Sequence, residues 1–73
     1  MEELMKILTG LKPDVDFETE DGLIDNGILD SFDIVQLISQ LKETFDIKIT
    51  PAEIIPENFN SAKALWAMVQ DLQ

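Results

Sequence analysis

The sequence predicts an all-α fold, a small antiparallel four-helix bundle with three main helices and one short helix. Three segments repeat apolar residues at intervals of three and four, the pattern of a helix that buries one stripe. No segment sustains the every-second-residue alternation of a half-buried strand. The chain has 73 residues, enough for one small domain, taken here as residues 1–73.

The first helix is expected over about residues 2–11. In "EELMKILTGL", Leu4, Ile7, Leu8 and Leu11 form one stripe, with Glu2 and Glu3 at the positive end of the helix dipole. Gly10 and Pro13 mark its end. Residues 12–29 show no sustained period. "DVDFETEDG" is acidic and turn-prone, yet Val15, Phe17, Leu23, Ile24, Ile28 and Leu29 are too apolar for a free linker. A loop this long in a small domain is functional or packed down by its own side chains. These six residues are expected to tuck under the helix ends.

The strongest helical pattern is "DSFDIVQLISQLKETF", with Ile34, Leu37, Ile38, Leu41 and Phe45 on one stripe. Asp30 is the expected N-cap and Asp33 adds negative charge in the first turn, for a helix over roughly 31–45. "DIKITP" breaks the period. Pro51 then opens a short helical turn, "PAEII", which Pro56 is expected to stop. The last helix starts from a cap at Asn60 or Ser61 and runs to about residue 72. Ala62, Leu65, Trp66, Val69 and Leu72 line one face, and Met68 and Trp66 read as packing residues rather than a cofactor box.

Composition narrows the function classes. Fifteen Asp and Glu face five lysines and no arginine, for a formal net charge of −10. A nucleic-acid partner is not expected, because phosphate binding needs a cationic footprint. Without cysteine or histidine, the chain has no disulfide, no thiolate chemistry, no Ser-His-Asp triad and no histidine general base. No apolar run approaches the 18 or more residues of a membrane span, so membrane insertion is not expected. No signal-peptide pattern is seen either, and a monomer in the cytoplasm is the default.

"GILDSFDIVQL" holds the most informative residue, Ser31. Capping alone explains a serine near a helix start, but a cap needs one short polar side chain and Asp30 supplies it. Phe32 lies off the Ile34–Leu37–Leu41 stripe, which leaves an aromatic near the surface. A phosphate joined to Ser31 would also meet the positive end of the helix. A serine that receives a phosphodiester needs no base of its own, because the modifying enzyme can provide it.

"DNGILDSFDIVQLISQLKETFDIKI" resembles the phosphopantetheine-attachment region of acyl carrier proteins, and the resemblance continues through "PAEIIPENFNSAKALWAMV". It implies an acyl-carrier-like helical bundle in which Ser31 is the attachment point of 4′-phosphopantetheine, transferred from coenzyme A. The thiol of that arm would hold an acyl or aminoacyl group as a thioester. Asp30 matches the acidic residue that helps engage the phosphopantetheinyl transferase. Phe32, Val35 and Ser39 match positions that face partner enzymes, and their helical spacing puts them on a face beside the core stripe. Further partners implied are an adenylating ligase or acyl transferase and an acceptor enzyme.

"NGILDSF" is similar to the D-alanyl carriers of teichoic acid modification. Fatty-acid carriers usually have a Gly-Ala or Ala-like pair before Asp-Ser and leucine after it. They also have an acid-rich second helix, where this chain has Gln36, Lys42 and Thr44. A fatty-acid or polyketide type acyl carrier is the alternative within the family. From another class, the alternative is an acidic helical interaction domain without a prosthetic group, using Phe32 and Val35 as plain contacts.

Two other acidic groupings read as structural rather than functional. Asp14, Asp16 and Glu18 fall at positions 1, 3 and 5 of a twelve-residue calcium loop, but Thr19 replaces its glycine and Asp25 its bidentate glutamate. A solvated acidic loop is expected, with no metal. Asp30 and Asp33 could suggest acid–base work, but three residues apart at a helix start they favour the dipole instead. A non-catalytic carrier is the expectation.

Overall fold

The computed structural model describes residues 2–73. Helix α1 (Glu2–Leu11) has Glu2 and Glu3 in its first turn and turns Leu4 and Leu8 fully inward. Helix α2 (Ser31–Phe45) buries Leu37 and Leu41 completely, with Ile34, Ile38 and Phe45 packed at the margin of the same stripe. It ends at Asp46, whose backbone is left-handed at φ 53°, ψ 51°. Helix α4 (Ala62–Leu72) contributes Ala62, Leu65, Met68 and Val69 to the core. The three expected long helices are therefore present at the expected places, and no strand forms among the described residues.

Helix α1 packs on both α2 and α4. Each leucine removed from water at their junction contributes about 1.5–3 kcal/mol of transfer free energy. Trp66, half-buried on α4, meets Phe45 at the end of α2 edge-to-face, with ring centroids 5.9 Å apart and planes at 63°. This is a favourable aromatic geometry, and it makes both residues packing elements, as expected. No helix among the described residues is long and apolar enough to cross a membrane.

The short helical segment differs from expectation. A 3-10 turn covers Pro51–Glu53, and a separate one-turn helix, α3 (Pro56–Phe59), packs on α4. Pro56 starts a helix where the sequence suggested a stop. Its missing N–H costs nothing at a first helical position, and its fixed φ already suits a helix. Glu53 anchors the 3-10 turn by accepting from the Thr50 N–H (3.4 Å) and the Thr50 hydroxyl (2.6 Å). Between the two turns, Ile54 and Ile55 remain 42% and 43% exposed.

The long loop is packed down as its apolar residues implied. Phe17, Leu23 and Leu29 are buried in the common core, and Val15, Ile24 and Ile28 lie against it. Two of its acidic side chains, Asp16 and Glu20, turn back on the loop itself. Asp16 Oδ1 accepts from the Glu18 N–H (3.2 Å), and Glu20 Oε2 accepts from the Gly22 N–H and the Asn26 amide (both 3.1 Å). Among the described residues, no group of three acidic side chains converges into a possible metal site.

Candidate functional site

The loop delivers the chain to Asp30 in an extended conformation (φ −94°, ψ −178°), and α2 begins at the next residue. Asp30 Oδ1 accepts from the Asp33 N–H at 2.9 Å, and Asp33 Oδ2 accepts from the Asp30 N–H at 3.4 Å. This reciprocal pair is a capping box with Asp in both roles, and it satisfies two backbone donors that a helix start leaves open. Asp33 was expected to contribute only charge; its carboxylate closes the cap.

Asp33 carries a further contact that the sequence did not reveal. Lys12, just past α1, places its Nζ 3.1 Å from Asp33 Oδ2. The end of α1 is thereby clamped to the start of α2. The Lys12 hydrogen bond holds the Asp33 carboxyl below its ordinary pKa, against the cost of partial desolvation. The Asp30 N–H and the Lys12 charge pull in the same downward direction. Residues this far apart in sequence leave no local signal of such a pair.

Ser31 occupies the first position of α2 and is exposed. Because Asp30 and Asp33 satisfy the cap, the Ser31 hydroxyl forms no hydrogen bond among the described residues. Phe32 and Val35 are 67% and 65% exposed, and Ser39 is exposed one turn further on. The structure thus brings Ser31 and Phe32 together at the helix start, with Val35 and Ser39 along the same solvent side of α2. The Asp33 carboxylate is turned away into the clamp, so the acids left along α2 and its end are Glu43 and Asp46.

Beside this face lies an apolar cleft of about 230 Å³ lined by Ile24, Ile34, Ile54, Ile55, Pro56 and Phe59. Its walls come from the loop, α2 and the α3 segment, an assembly that periodicity within one helix does not foretell. The only available signal was that Ile54 and Ile55 belong to no buried stripe.

The chain is 41% identical over 49 residues to the D-alanyl carrier protein of Lactococcus lactis subsp. cremoris, covering 67% of this chain and 62% of that one. It is 30% identical over 71 residues to the D-alanyl carrier protein of Lactobacillus acidophilus (97% and 87% covered). It is 35% identical over 60 residues to the D-alanyl carrier protein of Streptococcus pyogenes (82% and 76% covered). The match to the Lactococcus protein spans less than two thirds of that protein's length. No solved structure matches the chain. The family model described as the phosphopantetheine attachment site matches residues 2–69, nearly the whole chain with all of α1, α2 and α3 and most of α4, and the chain belongs to that family.

Proposed function

We propose that this chain is a non-catalytic carrier that holds an aminoacyl group on a 4′-phosphopantetheine arm attached to Ser31 Oγ. The observation that carries the reading is the Ser31 hydroxyl: exposed, at the first position of α2, and left without a structural task by the Asp30–Asp33 cap. These residues fit the group. The hydroxyl is open to esterification, and a phosphate there would lie by the unpaired N–H groups of the first helical turn. When bound, the arm supplies a mobile thiol that can hold its cargo as a thioester.

The chain's own residues do the rest. Asp30 sets the conformation at Ser31 and presents a carboxylate to the transferase. The base that activates Ser31 must come from that enzyme, because the chain has no histidine or cysteine and both nearby carboxylates serve the cap. Phe32, Val35 and Ser39 form the face on which the transferase, an adenylating ligase and an acceptor enzyme would dock in turn. With few free acids along α2, that docking rests on apolar contact more than on charge. The proposed setting is a monomeric, single-domain carrier in the cytoplasm, alongside the coenzyme A pool.

D-alanine is the proposed cargo, from the names of the three relatives. The apolar cleft beside α2 supports a fatty acyl cargo as the second reading. Intact-protein mass after incubation with coenzyme A, magnesium and a promiscuous phosphopantetheinyl transferase tests the carrier reading. One phosphopantetheine should appear on wild type and none on Ser31→Ala. No gain on folded wild type, with a known carrier modified in parallel, would leave an interaction domain without a prosthetic group. Loading trials with D-alanine and fatty acyl donors then separate the cargoes.

A further inference from the structure

We propose that Asn60, at the junction of α3 and α4, is a positioning residue for Ser31, acting through the loop that leads into α2; this rests on the carrier reading above. Asn60 is not needed as a helix cap, because Ser61 Oγ accepts from the Ala64 N–H (3.0 Å) and caps α4. Its polar groups are spent on the loop instead. The Asn60 carbonyl accepts from the Leu23 N–H at 2.9 Å. Asn60 Oδ1 accepts from the N–H groups of Ile24 (2.9 Å) and Asp25 (3.1 Å), and Asn60 Nδ2 donates to Asp25 Oδ2 at 3.2 Å.

The coupling continues toward the serine. The Leu23 carbonyl accepts from the Leu29 N–H at 2.9 Å, and Leu29 is followed directly by Asp30 and Ser31. A chain of two backbone hydrogen bonds therefore links Asn60 to the residue before the α2 cap. Leu23 and Leu29 are both buried, which protects that bond from competing water. Asp30 caps α2 only in the extended conformation, and the direction in which the loop arrives sets that conformation. The cap and the Lys12 clamp hold Ser31 from the helix side, and Asn60 holds it from the loop side. Asn60→Ala keeps the main-chain carbonyl that holds Leu23, but the Ile24 and Asp25 amides lose their side-chain acceptor and the Asp25 carboxylate its donor. One of four tethers remains, and the loop leading into the first turn of α2 is free to move.

The test compares wild type, Asn60→Ala, Asn60→Asp, and the exchanged pair Asn60→Asp with Asp25→Asn. The exchanged pair keeps the net charge and restores an amide–carboxylate contact with its direction reversed. Modification of Ser31 is followed by intact mass against carrier concentration, at a temperature where circular dichroism shows every variant folded. Asn60→Ala should lower the kcat of modification about tenfold with KM little changed, since a misplaced acceptor loses reactive alignment. Hydrogen exchange at the Leu29 amide should accelerate while that at Leu37 and Leu41 stays slow.

The exchanged pair should recover both the rate and the Leu29 protection, while Asn60→Asp alone, facing the Asp25 carboxylate, should not. A merely structural role would lower the melting temperature and leave the kcat of the folded protein unchanged. Folded Asn60→Ala modified at the wild-type rate would overturn the proposal. Should Asn60→Ala fail to fold, equal rates for wild type and Asn60→Asp would overturn it. Wild type left unmodified in this assay would instead overturn the carrier reading, and the Leu29 exchange rates would still report whether Asn60 restrains the loop.

Discussion

Two dipeptides of similar chemistry, Asp30-Ser31 and Asn60-Ser61, each open a helix, and the chain uses them in opposite ways. At α2 the first residue caps and the serine becomes the first helical residue, exposed and without a partner. At α4 the serine caps, and the residue before it reaches back to hold the loop. One residue of difference in where the helix starts separates a serine available for modification from a serine committed to structure. The neighbours enforce each choice. Asp33 returns its carboxylate to the Asp30 N–H and locks the α2 cap one residue before Ser31. At α4 the first helical residue is Ala62, whose buried side chain packs in the core, which leaves Ser61 as the cap.

The strongest way to break this comparison is to remove each hydroxyl. Ser31→Ala should abolish modification and change stability by less than about 0.5 kcal/mol, as expected for a surface position outside any cap. Ser61→Ala should still be modified but lose about 1 kcal/mol. In a chain of this size that is about 4–8 °C in melting temperature. Intact mass and thermal denaturation of both variants read the two effects together. A destabilised Ser31→Ala would mean that the hydroxyl does have a structural task.

Asp30 sharpens the contrast because it combines a cap with a charge. Asp30→Ala should cost about 1 kcal/mol through the cap. Asp30→Asn keeps a good capping oxygen, so its stability should stay near wild type while modification slows through loss of the carboxylate. Denaturant midpoints set against modification rates separate the two roles, and equal rates for Asp30→Asn and wild type would remove the charge from transferase recognition.

A smaller effect concerns the Lys12 clamp. Asp33 titrates in the folded chain below its ordinary value of 3.8, chiefly because Lys12 hydrogen-bonds to its carboxylate. The unfolded chain therefore takes up this proton first as the pH falls. The stabilisation is complete above the ordinary value and is lost as the pH drops through it toward the folded value. Lys12→Met removes the leading cause, so its acid unfolding should begin at a higher pH than that of wild type. Following helicity against pH in low and in high salt distinguishes the clamp from the general change in net charge, which salt screens. The same acid midpoint for both proteins would show that the clamp contributes nothing. The smallest effect on stability belongs to Phe32→Ala, within about 0.5 kcal/mol at an exposed site, although docking of partner enzymes should weaken.

The helices were legible because each buries a stripe whose period is local. Leu4 and Leu8, Leu37 and Leu41, and Leu65 and Val69 all lie one turn apart. Ser31 was legible for a related reason: a cap needs one side chain, and Asp30 beside it left the serine over. Asn60 and Ser61 remained equivalent in sequence, since both are good caps, and the tertiary structure distinguishes them by burying Ala62 and engaging the Asn60 side chain with the loop. Pro56 was ambiguous because proline both ends helices and begins them, and the packing of Phe59 into the core accompanies the second outcome.

Local spacing was enough for the all-α class, the boundaries of the three long helices, the tucked loop and a serine left over at a helix start, because periodicity and capping act within a few residues. The Lys12–Asp33 clamp, the Asn60 tether and the apolar cleft were decided by the tertiary structure. Each joins residues that the chain keeps apart until the helices pack, and no local propensity encodes which distant partner will be adjacent.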